Sequence, residues 1–242
     1  MGATVDSSVR PPISARERHS MHERTILQAY RSKLLKKDIF GRTELICTDN
    51  LRRVRRDAGS AARWARPVAR ALLRAEAGAL AVLEGTDGVP ALVESGRDWL
   101  DREYLDGKPM QEARPEDAVY FKEAARLLRS IHRRGIVHND LAKEPNLLVR
   151  DDGSPAIVDF QLARFWPGRG KLFRILARED LRHLLKHKRT YCADRLTQRE
   201  KAILGNPSAI ARIWKATGKP VYWFVTRRLM GWEDREGAGD RV

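Results

Sequence analysis

Cysteine is nearly missing from this chain. Two occur in 242 residues, Cys47 and Cys192, far apart and with neither a CxxC pair nor a Cys/His cluster beside them. That offers neither a disulfide framework nor a zinc site and suits a reducing compartment. Long apolar runs are also missing, and none approaches the ~20 residues that a membrane-spanning helix needs. The opening MGATVDSSVRPPISARERHS has no apolar core of a secretory signal, and Asp6 stands where a myristoylation signal needs Ser or Thr. Residues 1–24 read as a flexible tail. The expected location is the cytoplasm, with the inner face of the membrane as a peripheral alternative. Acid is short as well: 47 Lys and Arg stand against 32 Asp and Glu, a net charge of +15. The excess gathers over residues 52–56, 169–189 and from Arg227 onward. Such surfaces attract nucleic acid, anionic lipid head groups or phosphorylated sugars, and solvated helix faces account for them equally well.

What is present suits a folded chain. Hydrophobic residues make up 42% and charged residues 33%, and the length fits one two-lobed domain or two small domains with a sizeable core. There is no internal repeat or low-complexity tract. Residues 33–47 and 50–57 read as short strands around a turn at Gly41. RPVARALLRAEAGALAVLEG, with Pro67 near its start, Gly85 at its end and Leu72, Leu73, Leu80 and Leu83 at helical spacing, predicts a helix. Strands follow in PALVES and DWLDREYL. From Pro115 a second helix is expected, with Pro and two acids in its first turn and Gly135 as its stop; Phe121, Ala124, Ala125, Leu128 and Ile131 form its apolar stripe. LLV, the turn RDDGSP and AIVDF predict a hairpin. Three basic helices are expected beyond Trp166, in REDLRHLLKHK, TQREKAILG and PSAIARIWKATG.

Between the second helix and the hairpin lies IVHNDLAKEPNLLV, a polar cluster framed by apolar runs. The hairpin brings Asn146, just before one strand, to Asp159 at the end of the other, with Asp140 on the loop beside them. A carboxylate and a carboxamide placed this way offer oxygens to a hard cation such as Mg2+, which takes few protein ligands plus phosphate oxygens. Asp140 is then free to orient or deprotonate an attacking hydroxyl, the division of labour that phosphoryl transfer requires.

A long helix, an H-x-D loop with a following Asn, a hairpin and D-F-x together resemble the protein-kinase-like superfamily over about residues 33–185. Within it the chain is most similar to small atypical bacterial kinases, the RIO-like group and the lipopolysaccharide core sugar kinases; a short basic C-terminal part with no A-P-E after Asp159 suits that minimal type. The resemblance implies a two-lobed α+β fold, with an N-lobe over residues 25–107 of strands and one helix and a mainly helical C-lobe over residues 108–242. It makes Asp140 the catalytic-loop Asp, Asn146 and Asp159 the Mg2+ ligands and His138 the structural His, and Lys143 a contact to the transferred phosphate. Glu76 matches the Glu that holds the nucleotide-anchoring Lys, and Glu103 to Leu105 the hinge against which adenine packs. ATP and Mg2+ are the implied cofactors.

Departures accompany the matches. D-L-A-K-E-P-N holds one residue more than D-x-x-x-x-N. No VAIK is present, and Arg56 or Arg55 of VRRD stands where the anchoring Lys belongs. The glycine-rich loop is reduced to Gly41 of DIFGRTE, and D-F-Q replaces D-F-G, with Gln161 giving up backbone freedom. The expected activity is transfer of the ATP γ-phosphate to a hydroxyl, first of a protein Ser or Thr, second of a lipopolysaccharide core sugar. The rival is a pseudokinase, a basic module binding RNA or an anionic membrane; the missing Lys favours it, and the intact Asp140, Asn146 and Asp159 oppose it.

Overall fold

The computed structural model describes residues 31–48 and 51–206; the tail, the helix expected at 207–218 and the basic stretch from Arg227 lie outside the described residues. The first part is a five-stranded antiparallel sheet in the order β1-β2-β3-β5-β4, formed by β1 (Arg31–Asp38), β2 (Gly41–Thr48), β3 (Leu51–Asp57), β4 (Leu92–Ser95) and β5 (Trp99–Glu103). β1 is the outer strand, and Lys33, Lys36 and Lys37 along it oppose edge-to-edge pairing. β1 and β2 meet in a tight turn, closed by the Asp38–Gly41 pair and by Phe40 N–H donating to Asp38 Oδ1 at 2.9 Å. Gly41 has φ of 125°, and a Cβ there would come 2.1 Å from the carbonyl oxygen of Asp57 on β3. Only glycine lets the two backbones approach this closely.

Helix α1 (Arg66–Val82) follows β3, with Pro67 in its first turn as expected. Its N-terminal half sends Ala69 and Leu73 into a small core with Ala58, Ala61 and Leu100 of the sheet region. Its C-terminal half sends Ala79 and Leu80 into the main core, against Phe121, Leu128 and Ile131 of the second long helix. One helix therefore joins two cores, and Glu76 lies on it between them.

The second part contains β6 (Lys108–Pro109), α2 (Met110–Ala113), α3 (Ala118–Arg133), β7 (Ile136–Val137), β8 (Leu147–Val149), β9 (Pro155–Ile157), β10 (Arg164–Phe165), α4 (Lys171–Tyr191) and α5 (Gln198–Gly205). β6, β8 and β9 form one small sheet and β7 with β10 another. The expected apolar stripe of α3 is buried at Phe121, Ala124, Leu128 and Ile131. The helix starts later than its sequence suggests: Pro115 and both acids precede it, and Asp117 caps it, its carboxylate accepting from Val119 N–H at 2.8 Å. α4 starts seven residues earlier than Arg178. Its buried face runs through Phe173, Asp180 and Leu184, and the acid in the middle of that face hides the apolar period. Thr197 and Glu200 form a reciprocal capping box at the start of α5.

Candidate active site

β3 reads LRRVRRD, and side chains alternate between the faces of a strand. Arg53 and Arg55 share one face, where the buried Asp101 of β5 takes Arg55 through two hydrogen bonds of 2.7 and 2.8 Å and Arg53 at 3.2 Å. Val54 and Arg56 share the other face, toward α1. Of the two candidates for the anchoring cation, the structure therefore brings Arg56 to Glu76, at 2.7 Å. Glu76 is fully buried and also meets Arg102 of β5 at 3.2 Å. Val54 pairs with Arg102 in the ladder, so both arginines point to the same carboxylate. Burial works against the Arg56 charge, and Glu76 and Asp159 together hold its pKa above the ordinary value.

Arg56 reaches further. Its guanidinium lies 3.4 Å from Asp159 Oδ1 and donates to Gln161 Oε1 at 2.6 Å, while Gln161 Nε2 donates to Asp159 Oδ2 at 3.3 Å. Asp159 lies two residues past the end of β9, with φ of 65°. The left-handed residue of D-F-Q is therefore the Asp. Gln161 sits in a 3-10 turn, Phe160–Leu162, with no positive φ, so the backbone freedom of glycine is not needed there.

The loop before the hairpin is anchored from below. Asp180, buried on α4, accepts from the backbone N–H of His138 at 2.8 Å and of Asn139 at 2.9 Å, and its carboxylate lies 3.1 Å from His132 Nε2. Asn139 takes φ of 65°, and its amide donates to Leu162 O at 3.0 Å. His138 is buried and has the structural role expected of it. Its Nε2 donates to Val158 O at 3.0 Å, its Nδ1 accepts from Asp140 N–H at 3.3 Å, and its ring meets Phe160 edge-on with centroids 4.8 Å apart.

Asp140 and Asn146 lie in direct contact. Asn146 Nδ2 donates to Asp140 O at 2.9 Å and Oδ2 at 3.2 Å, and Lys143 Nζ lies 3.1 Å from the same Oδ2. Both side-chain contacts fall on one oxygen, and no contact engages Oδ1 among the described residues. Burial pushes the Asp140 carboxyl above its ordinary pKa, opposed by Lys143 and assisted by the charge of Asp159. Asn146 O accepts from Val158 N–H at 3.0 Å, which fixes the hairpin next to Asp159.

The donor set fits a hard cation. The Asn146 nitrogen is committed to two acceptors, so its amide orientation is determined and its Oδ1 accepts no hydrogen bond among the described residues. With an Asp159 oxygen it makes a set of two oxygens. No group of three His, Cys, Asp or Glu suited to a metal occurs among the described residues, and Mg2+ completed by phosphate oxygens needs none. Of the other expected site residues, Gly41 lies at the β1–β2 turn, pressed on β3. Glu103 ends β5, and its carboxylate accepts from Ala91 N–H at 3.1 Å. Leu105 is half-buried on the connection to β6. Arg102 and Asp180 also join this cluster, each through partners distant in the chain, so no local pattern marks them. Gln161, visible in the sequence only as the residue that replaces glycine, joins it through Arg56 and through Asp159 two residues before it.

No family model matches the sequence. Among solved structures, the Rio2 kinase from Chaetomium thermophilum aligns with a TM-score of 0.56 and 15% identity, over 76% of this chain and 65% of that one. The chain thus spans about two thirds of the length of that kinase structure. The likeness shows a protein-kinase-like, two-lobed α+β fold, and no helix among the described residues is long and apolar enough to cross a membrane.

Proposed function

We propose that the protein is an ATP-dependent kinase that moves the γ-phosphate of Mg-ATP onto a hydroxyl, most favourably that of a protein Ser or Thr. The observation that carries this reading is the convergence of Arg56, Glu76 and Asp159, which come from β3, α1 and the turn after β9, beside a buried Asp140–Asn146 pair. A kinase fold used only as a scaffold has no need to gather these charges at one place. Asn146 and Asp159 hold Mg2+, which when bound neutralises phosphate charge. Asp140 presents its carboxylate to the acceptor hydroxyl, and its raised pKa makes it the stronger proton acceptor. Lys143 contacts the transferred group, and Arg56, steadied by Glu76, positions the nucleotide phosphates. Glu103 and Leu105 flank the adenine, and Gly41 shapes the turn over the phosphates. Positioning and charge neutralisation supply the rate.

One surface favours the second acceptor, an anionic sugar carried on a membrane lipid. Residues 160–178 contain Arg164, Arg169, Lys171, Arg174 and Arg178 and no acid, and they expose Leu162, Phe165 and Leu172. The test is transfer of labelled γ-phosphate from ATP with Mg2+ to a generic basic protein, to core glycolipid and to the protein itself, beside Asp140→Asn. Label on one acceptor, lowered about 100-fold or more by the substitution, supports the reading and names the acceptor class. No transfer to any acceptor, together with no ATP binding and a steeply salt-dependent affinity for RNA or anionic vesicles, would replace it with the pseudokinase.

A further inference from the structure

A cavity of about 420 Å3 opens beside the N-terminal half of α1, lined by Pro67, Arg70, Arg74, Gly96 and Arg97. None of these residues belongs to the candidate active site. One wall is α1, where Arg66, Arg70 and Arg74 recur every fourth residue and so stand one above another. Like charges at this spacing repel, and an isolated helix gains nothing from them. The other wall is the turn between β4 and β5, which brings Arg97 across.

Partners within the fold answer only part of this charge. Arg70 pairs with Asp98 through two hydrogen bonds, the Nη2 bond being 3.2 Å long, and the Arg66 side chain donates to Ala61 O at 3.2 Å. The Arg70 hydrogen bond holds the Asp98 carboxyl below the usual carboxylate range, so it stays ionised. Arg74 and Arg97 make no hydrogen bond or ion pair among the described residues. One carboxylate therefore stands against Arg70, Arg74 and Arg97, and two guanidinium forks are left over.

The turn wall is held rigidly. Asp98 O accepts from Ala58 N–H at 2.7 Å, and Gly96 N–H donates to Trp99 O at 2.9 Å. A Cβ on Gly96 would lie 2.6 Å from the Trp99 indole nitrogen, so only glycine leaves the indole in place. That indole carries the Arg55 guanidinium 4.7 Å from its ring centroid.

We propose that this cavity binds a phosphomonoester. Guanidinium forks match the oxygens of a phosphate dianion with paired hydrogen bonds. The volume falls within the range of small-ligand pockets, about 300–1,000 Å3, so the phosphate arrives with an organic body attached. The lining holds no aromatic side chain for a base to stack on, and no exposed apolar side chain larger than Pro67, which disfavours single-stranded nucleic acid and a lipid surface. The body is either a free small molecule or a phosphorylated side chain of a protein.

Calorimetry on the full chain at fixed ionic strength tests this, with phosphoserine, a phosphoserine peptide and its unphosphorylated form as probes. The double variant Arg74→Gln/Arg97→Gln is compared with Arg126→Gln/Arg129→Gln, which removes the same charge from exposed positions on α3. The expected result is one saturable phosphate-dependent site that weakens about tenfold or more in the cavity variant and is unchanged in the α3 variant. Tighter binding of the peptide assigns the protein side chain, and tighter binding of free phosphoserine the small molecule. Equal weakening in both variants, an undiminished affinity in the cavity variant, or no saturable binding of either phosphorylated probe to the parent overturns the proposal. None of these outcomes depends on kinase activity.

Discussion

Asp180 supports the whole loop that carries Asp140. Its buried carboxylate is the acceptor for two backbone donors, His138 N–H at 2.8 Å and Asn139 N–H at 2.9 Å. Asp180→Ala leaves both without a partner; the buried His138 donor costs about 1–3 kcal/mol and the donor of the exposed Asn139 less, so the loss is about 3 kcal/mol. For a chain of this size that corresponds to a fall in Tm of roughly 6–12 °C. Asp180→Asn keeps the volume and one acceptor oxygen but turns an NH2 toward the other donor, so it loses about half as much. Urea unfolding measures the stabilities, and amide hydrogen exchange reports His138 and Asn139 directly, with protection at both falling in Asp180→Ala. A loss below about 1 kcal/mol with protection retained at both amides would refute the anchoring role.

Glu76→Gln removes the one carboxylate between Arg56 and Arg102 and leaves two half-buried guanidiniums facing each other, so urea unfolding should register a loss of about 3–5 kcal/mol. Gly41→Ala combines a disfavoured φ with a contact on Asp57 O, and should destabilise the sheet by about 3 kcal/mol in the same assay, whereas Gly153→Ala, with open space around its Cβ, should lose less. Asp140 responds to pH in a defined direction. Because burial raises its folded-state pKa, the folded chain holds that proton more tightly, and the ionised form subtracts from stability above the ordinary carboxylate range. Asp140→Asn should therefore be more stable than the parent at about pH 7, with the difference closing as pH falls toward about 4; unfolding curves in which it widens instead would contradict the burial argument.

The parts of the molecule legible in the sequence are those where a local pattern decides. Pro67 with its leucines marks α1, Phe121 to Ile131 marks α3, and the hairpin turn places Asn146 beside Val158 and hence Asp159. β6, β7 and β10 are two residues each and too short to show any period. The choice between Arg55 and Arg56 stayed open because LRRVRRD puts arginine on both faces, and only the pairing with β5 shows which face holds Asp101 and which meets Glu76. In the sequence Asp180 is one acid within a basic helix, and nothing nearby in the chain reveals the two amides 41 and 42 residues away that it serves.

The same reasoning links the two departures at the site, arginine for the anchoring lysine and glutamine for the glycine after Asp159-Phe160. A lysine ammonium is a point charge and reaches one carboxylate well. The Arg56 fork has to satisfy more donors, and it meets Glu76 with one nitrogen and Gln161 with the other while lying 3.4 Å from Asp159. Glycine at position 161 would leave the second nitrogen without that partner, and lysine at position 56 would leave the Gln161 oxygen without its donor. The two substitutions are therefore coupled, and a double-mutant cycle on Arg56→Lys and Gln161→Gly should return a coupling energy of about 1 kcal/mol, the double variant losing less stability than the two single losses added together. Additive losses, within about 0.3 kcal/mol, would mean that Gln161 does not position Arg56 and that its contact with the guanidinium is incidental.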